Sequence, residues 1–543
     1  MKRTDRKEFG DYQTPQPLAD EVLAFLATQG LRPAAIVEPT CGLGTFVNAA
    51  AVSFPSPDVF AFDLNREYTK HLSRSSDGFR PRLHIETQDF FQKDWKAFFD
   101  SLDGEILVVG NPPWVTNASL GAIHGTNLPI KSNFQNHKGF AAKTGKANFD
   151  ISEWILIKLL ESLGQHRACI AMLCKTATAR KVLRHAWTNR FPVGRASLHS
   201  IDAASHFGVA VDACLFVVHI GIIDLPMIAT VYLDLSFNSK SSTIGIHGKE
   251  LVADVDEFKR LSDIDGISYY KWRSGVKHDA ARVMEFTREA NRLKNAAGEE
   301  AHIEDAYLYP MLKSSDLANG EIHPKRLVLL TQRHPSDDTE KIRHDAPATW
   351  RYLLSHGAAL DARQSMIYQK RSRFAVFGVG PYTFAPWKVA VSGLYKTLKF
   401  RVVGPIGEKP AVVDDTCYFV PCQTKKESEL ICDLLNSDLC QRFLRSIVFL
   451  DSKRPVTIDV LNRIDLKRIA EKLGQEVKAR KYFVAARHYE RGQPLLVFEK
   501  MEEYRTRRST LTQNPRRILR NVRTVIRPFT RQSMAKSTMN KPE

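Results

Sequence analysis

The run Ile106-Leu107-Val108-Val109-Gly110 carries no charge and stops at Asn111-Pro112-Pro113-Trp114. Two successive prolines fix φ and remove two N–H donors, so neither a helix nor a central strand continues through them. The run therefore reads as a buried strand, and the tetrapeptide as a stiff turn at its C-terminal mouth. Similar runs recur upstream. Ala35–Glu38 leads into Pro39-Thr40-Cys41-Gly42-Leu43-Gly44, Asp58 to Phe62 ends at Asp63, and Arg82 to Glu86 ends near Asp89. Helical stretches lie between and around them. Thr14-Pro15 opens one with Leu18, Val22, Phe25 and Leu26 at helical spacing, and another follows Phe149 with Trp154, Ile155, Leu159 and Leu160. Further strands are expected at Ala168 to Leu173 and Ala213 to His219. This alternation over residues 1–235 predicts an α/β domain with a mainly parallel, Rossmann-like sheet and helices on both faces.

At 543 residues the chain exceeds one ordinary core, so further domains are expected. Residues 236–470 read as an α+β domain. It has a charged helical stretch near Asp279 to Asn295 and strand-like segments at Arg326 to Leu330 and Lys388 to Val391. Residues 471–543 read as a basic helical extension. No internal repeat is visible. Residues 120–148, rich in Gly, Asn, Lys and His, read as a loop over the site. No run of 18 uncharged apolar residues occurs, and the N-terminal MKRTDRKEFGDYQTP has no apolar core. Neither a transmembrane helix nor a secretory signal is therefore expected, and the cytoplasm is the expected compartment. Eight thinly spread cysteines suit free thiols in a reducing compartment. Cys417, Cys422, Cys432 and Cys440 lack paired CxxC spacing and nearby histidines, so no metal is expected, and Pro421-Cys422 is read as strand.

The formal charge of +18 suggests a polyanionic partner, most simply nucleic acid. From Met501 to Glu543 nine Arg and two Lys face three Glu. Arg516, Arg517, Arg520, Arg523 and Arg527 recur at near-helical spacing, which fits a helix tracking phosphates or a disordered arm.

The strand ends carry the chemistry. Gly42 and Gly44 let a ligand approach the backbone and a helix N-terminus, although Val47 in the third glycine position departs from the dinucleotide fingerprint. A carboxylate such as Asp63, ending the next strand, can hold ribose hydroxyls; a solvated strand-end Asp is the plainer reading. Asp89 beside Phe90 suits an adenine, with the acid accepting from its amine and the ring covering a face; a helix N-cap is the alternative. Asn111 offers a side-chain carbonyl, the prolines leave carbonyls able to accept, and Trp114 offers a flat face. That combination suits an exocyclic amine on a flat ring.

In this order the residues resemble the S-adenosylmethionine-dependent DNA adenine-N6 methyltransferases of the gamma motif order. Gly10-Asp11-Tyr12-Gln13-Thr14-Pro15 resembles the N-terminal cofactor motif, and Glu38-Pro39-Thr40-Cys41-Gly42-Leu43-Gly44-Thr45-Phe46 the cofactor loop. The resemblance implies cofactor contacts from Tyr12, Thr14, Glu38, Pro39, Cys41, Gly42 and Gly44. It also makes Asp63 the ribose carboxylate and puts Asp89 and Phe90 at the adenine. Asn148-Phe149-Asp150 starts a helix in which Phe149 helps wall that pocket. Asn111-Pro112-Pro113-Trp114 resembles the catalytic motif, and Phe207 falls where the family places an aromatic against the flipped base. The match covers about the first 220 residues. Tyr is more usual than Trp at the fourth catalytic position; the Trp form occurs in cytosine-N4 enzymes that begin with Ser or Asp, so Asn111 points to adenine. Downstream, Trp272-Arg273-Ser274-Gly275-Val276-Lys277-His278-Asp279, the stretch from Gly378 to Lys388, Asp414-Asp415-Thr416-Cys417-Tyr418 and Asp451-Ser452-Lys453-Arg454-Pro455 are similar to large methylases of restriction systems.

The resemblance implies a bacterial or phage-type enzyme of restriction-modification or defence, nucleoid-associated in a bacterial cytoplasm. Its substrate is duplex DNA and its possible partner a cognate restriction endonuclease. Residues 236–470 then become a target-recognition domain, with Arg371, Arg373, Lys388, Lys396, Lys453 and Arg454 as candidate contacts. The oligomeric state stays open. The alternatives are a methyltransferase of RNA or of a protein glutamine amide, and a non-catalytic DNA-binding subunit that kept the fold.

Overall fold

The computed structural model describes residues 13–75, 82–115, 150–221, 226–248, 250–290, 292–368 and 371–489. Tyr12, Phe149, the loop at 120–148 and the arginine-rich tail lie outside the described residues. The chain divides into two compact units, Met1–Glu476 and Val477–Glu543. In the second, the described residues belong to the helix Glu476–Tyr489.

The first unit opens with helix α1 (Gln16–Thr28), for which Pro15 supplies a preset φ of −62° at the N-cap. A ten-stranded sheet follows, built from β1 (Ala35–Glu38), β2 (Asp58–Asp63), β3 (Leu83–Thr87), β4 (Ile106–Gly110), β5 (Ala168–Lys175), β6 (Val193–Ile201), β7 (Ala213–Ile220), β8 (Ile228–Tyr232), β9 (Lys240–His247) and β10 (Glu250–Val252). Its order is β10-β9-β8-β6-β7-β5-β4-β1-β2-β3. Strands β3, β2, β1, β4 and β5 run parallel. Strand β7 is inserted antiparallel between β5 and β6. The expected boundary at residue 235 falls between β8 and β9, which pair within this sheet, so the sheet itself continues to Val252.

Helices α2 (Thr45–Ser53), α3 (Arg66–Ser75), α4 (Trp95–Asp100), α5 (Ile151–Leu163), α6 (Thr176–Thr188) and α7 (Ala203–Phe207) connect the strands. The central strands alternate between two cores. Val37, Phe62, Val108 and Ile170 join one with Trp95, Phe99, Ile155 and Leu159. Ile36, Ala61, Leu107 and Val109 join the other with Leu18, Val22, Phe46 and Leu72. Strands buried on both faces have no room for polar alternation, which is why they read as continuous apolar runs.

Beyond Val252 lie two smaller sheets. One has the order β13-β12-β15-β14-β20 and the other β11-β21-β16-β17. These strands are β11 (Arg273–Ser274), β12 (Glu285–Glu289), β13 (Arg292–Asn295), β14 (Leu308–Leu312), β15 (Arg326–Leu329), β16 (Trp387–Ser392), β17 (Arg401–Val403), β20 (Val412–Val413) and β21 (Cys417–Cys422), with β18 (Pro405–Ile406) and β19 (Lys409–Pro410) forming a separate pair. Helices α8 (Lys425–Asn436) and α9 (Asp438–Ile447) follow. The expected charged helix near Asp279 to Asn295 is instead the short helix Ala281–Met284 and the hairpin β12–β13. The hairpin turns at Ala290 with φ of 51°, and β12 also pairs with β15. Ladder bonds on both sides of β12 outweigh the helical propensity of its charged residues. Among the described residues, no helix is long and apolar enough to cross a membrane.

Candidate active site

Parallel strands β1, β2 and β4 deliver their C-terminal ends to one edge of the sheet, where open α/β sheets hold ligands. The loop after β1 is fixed from two sides. Asp63, at the end of β2, accepts the Gly42 amide through Oδ2 at 2.8 Å and the Asn65 amide through Oδ1 at 2.7 Å. From the opposite side, Gln13 Oε1 accepts the Leu43 amide at 3.2 Å. Gly44 then starts α2 with φ of 85°, and a Cβ there would lie 2.3 Å from Leu72 Cδ1. No residue with a side chain fits that conformation without moving Leu72. The Gly-rich turn is thus a rigid cradle at a helix N-terminus.

Glu38 sits beneath the cradle with 3% of its surface exposed. Its Oε2 and the Thr40 Oγ1 are buried and have no hydrogen-bond partner among the described residues. Burial, and secondarily the Asp63 charge, push the Glu38 carboxyl well above its usual range. Cys41 is also buried, and its thiol is pushed up by burial, Glu38 and Asp63, so it is not a poised nucleophile. Pro39 is buried beside them.

The tetrapeptide begins at the next strand end. Asn111 Nδ2 donates to Thr14 Oγ1 at 3.3 Å, which ties the segment before α1 to the end of β4. With the nitrogen turned toward Thr14, the amide carries its acceptor Oδ1 on the other branch. Pro112 is buried and Pro113 half-buried. Trp114 is buried, and its Nε1 donates to the Leu173 carbonyl at 3.4 Å. Lys175, at the end of β5, donates to the Trp114 carbonyl at 2.9 Å and to Asp150 Oδ2 at 2.6 Å. Asp150 caps α5 by accepting from Ser152 N and Oγ, and Ile151 N donates to the Val115 carbonyl at 2.8 Å. These bonds lock the turn from three elements.

Phe207, the last residue of α7, meets Trp114 edge to face, with ring centroids 5.2 Å apart and planes at 67°. Asp89 is occupied in its own turn, accepting from the Phe91 amide at 2.9 Å and from Gln92 Nε2 at 3.0 Å. The Phe90 ring lies in the core, 4.9 Å from Trp95 and 5.5 Å from Phe91. Thr14, Glu38, Gly42, Gly44, Asp63 and Asn111 therefore come together directly, while Phe90 belongs more to packing than to a pocket wall. Lys175 and Asp150 escaped the reading of the sequence as site residues. The one available signal was a lysine ending an otherwise apolar strand.

No family model matches the chain. It is 42% identical over 468 residues to the Type II methyltransferase M.NspV of Nostoc sp., a span of 86% of this chain and 97% of that protein. A stretch of 114 residues is 29% identical to the Type II methyltransferase M.XamI of Xanthomonas campestris pv. amaranthicola, covering 21% of each. Among solved structures, the Type IIL restriction-modification enzyme MmeI, in complex with DNA, matches with a TM-score of 0.51 and 13% identity over 82% of this chain and 64% of that one. That likeness concerns the fold, a Rossmann-like methyltransferase sheet followed by further sheets. With sequence identity of this extent added to it, the chain belongs to the Type II methyltransferases.

Proposed function

We propose that the chain transfers a methyl group from S-adenosylmethionine to N6 of a flipped-out adenine in duplex DNA, as the modification partner of a restriction endonuclease. The observation that carries the reading is one shared sheet edge. There the Gly42–Asp63 cradle stands beside Asn111, whose amide is oriented by Thr14.

The residues fit the cofactor. Gly44 starts α2 at a φ of 85° with no side chain between it and Leu72, and buried Glu38 Oε2 and Thr40 Oγ1 have hydrogen-bonding capacity to satisfy. Asp63 would take the ribose hydroxyls, since a carboxylate with about four lone-pair sites can keep its two amides and accept further donors. When bound, the cofactor supplies an electrophilic methyl on its sulfonium.

The chain's own residues prepare the acceptor. The adenine N6 lone pair is delocalised into the ring and attacks poorly. Asn111 Oδ1 and the Pro112 carbonyl each accept one N–H, which turns the nitrogen toward tetrahedral geometry and aims its lone pair in line. The bond from methyl to sulfur would break as the bond to N6 forms, its electron pair leaving on sulfur, and N6 would release one proton to solvent; the gain is positioning and electrostatics, with no covalent enzyme intermediate. Extrusion of the base costs a few kcal/mol, and stacking returns roughly 1–3 kcal/mol per aromatic contact. Trp114 and Phe207 touch each other, whereas a base between two rings needs about twice the ~3.5 Å contact distance. Phe207 therefore swings aside on the short helix α7 while Trp114 stays fixed. The region beyond Val252 reads the target sequence.

The test is methyl transfer from labelled cofactor to duplex DNA, to RNA and to protein extract. Label in N6-methyladenine of DNA is the expected result; label in RNA or protein alone would reject the reading.

A further inference from the structure

The turn at 394–397 joins β16 to β17 and presents Leu394, Tyr395, Lys396 and Thr397 to solvent. Leu394 is 38% exposed and Tyr395 41% exposed. Two large apolar side chains at one tip are unusual on a turn, and this turn is firmly built. Ser392 Oγ accepts the Leu394 amide at 3.3 Å and the Tyr395 amide at 3.2 Å, and it pairs with Ser314 Oγ at 2.6 Å. Gly393 donates to the Thr416 carbonyl, and a Cβ on it would lie 2.8 Å from the Tyr418 ring. On the far side, Gln441 Nε2 donates to the Leu398 carbonyl, and Asn436 pairs with both backbone groups of Phe400.

Three segments flagged in the sequence converge on this turn. The stretch from Gly378 to Lys388 runs into β16. Thr416 and Tyr418 lie under the turn. Arg454 Nη1 donates to Tyr418 Oη at 3.3 Å, and Asp451 pairs at 2.6 Å with Arg180 on α6 of the catalytic sheet. The turn is thereby set against the catalytic sheet. Lys396 Nζ lies 3.4 Å from Asp212 Oδ2, in the loop that follows Phe207. Both groups are exposed, so the pair contributes little energy, but it locates the tip against the end of the α7–β7 loop, where the Asp212 carbonyl accepts the Thr176 amide next to Lys175.

We propose that Leu394 and Tyr395 form a wedge that enters the duplex next to the target base and occupies the space it vacates. This rests on the reading of the chain as a methyltransferase of a flipped base in DNA. An apolar tip on a rigid turn unstacks a base step, and flanking lysines, here Lys396 and Lys399, neutralise phosphates. The overall positive charge suits the same occupant.

The test uses the full-length protein and duplexes carrying its mapped site, with 2-aminopurine at the target position. Leu394→Ala/Tyr395→Ala should keep the wild-type thermal midpoint and cofactor affinity, because both side chains are exposed. It should bind the matched duplex about tenfold more weakly and lose the fluorescence rise. It should bind within about twofold of wild type when the target faces an abasic position, where extrusion is already cheap. Equal loss on both duplexes, or no loss on either, would overturn the wedge. A wild-type protein that gives no fluorescence rise would instead remove the base-flipping reading on which the wedge rests.

Discussion

Glu38 of the catalytic sheet and Lys388 of the region beyond Val252 are both buried ionisable groups, but the fold uses them differently. At the sheet edge, Glu38 is buried with one carboxyl oxygen unmatched by any described residue, next to Asp63 and Asn111. In the second region, Lys388 is buried inside β16 with its Nζ donating to the Ala385 carbonyl at 2.7 Å. Between the regions, Arg180 and Asp451 form a largely buried ion pair, with Arg180 also 4.4 Å over the Phe449 ring. An unmatched buried polar group at a strand's C-terminal mouth points to a ligand. A matched one within a strand holds packing together.

Asn111→Ala should break the comparison at its most sensitive point. Transfer should fall by at least ~10²–10³, the scale of losing one preorganised polar contact, in single-turnover assays. Cofactor affinity should stay near wild type; unchanged transfer would remove Asn111 from the chemistry. Arg180→Ala should come next, as a stability effect of about 3–5 kcal/mol in urea denaturation, because it leaves Asp451 uncompensated. A double change with Asp451→Ala should cost much less than the sum of the single changes. Asp63→Ala removes a carboxylate that holds two amides of the cradle. Calorimetry should show cofactor affinity weakened by about 10–100-fold, from hydrogen bonds to a charged group worth ~1.5–3 kcal/mol, with DNA affinity little changed.

The smallest effects are pH slopes of opposite sign. Glu38 has a folded value well above its usual 4.5, so the folded chain binds more protons above that pH. Its contribution to stability is complete below 4.5 and is lost as pH rises through the folded value; Glu38→Gln should flatten that fall. Burial lowers Lys388 from 10.5 to about 7, so the unfolded chain binds more protons between those values. Its contribution is complete above 10.5 and is lost as pH falls toward 7. Lys388→Met should flatten a rise of at most about 1.4 kcal/mol per pH unit. Denaturation midpoints across pH give both slopes, and two slopes of the same sign would contradict this contrast.

The same contrast explains what the sequence disclosed. The inner parallel strands β1, β2 and β4 are short apolar runs ended by a polar or glycine residue, so they were readable almost to the residue. Strand β6 was missed because Arg195, Ser197, His199 and Ser200 interrupt its apolar pattern; it earns its place by pairing with β7 and β8. The hairpin β12–β13 read as a helix because its charged residues are good helix formers, and its ladder to β15 comes from a distant segment. In the site, Asp63 and Asn111 were visible because they end strands. Their contacts with Gly42 and Thr14 depend on the loop and on α1 folding back, which spacing alone does not encode. The segments around Tyr418 and Arg454 resemble those of large restriction-system methylases, but neither segment encodes that they meet beneath one turn.

The most direct test of the central claim is long-read modification mapping of DNA from cells expressing the wild-type chain or Asn111→Ala. N6-methyladenine in one sequence context is expected with the wild type and an unmarked genome with the variant. Methylcytosine in place of methyladenine, or a mark that survives loss of the Asn111 amide, would contradict it.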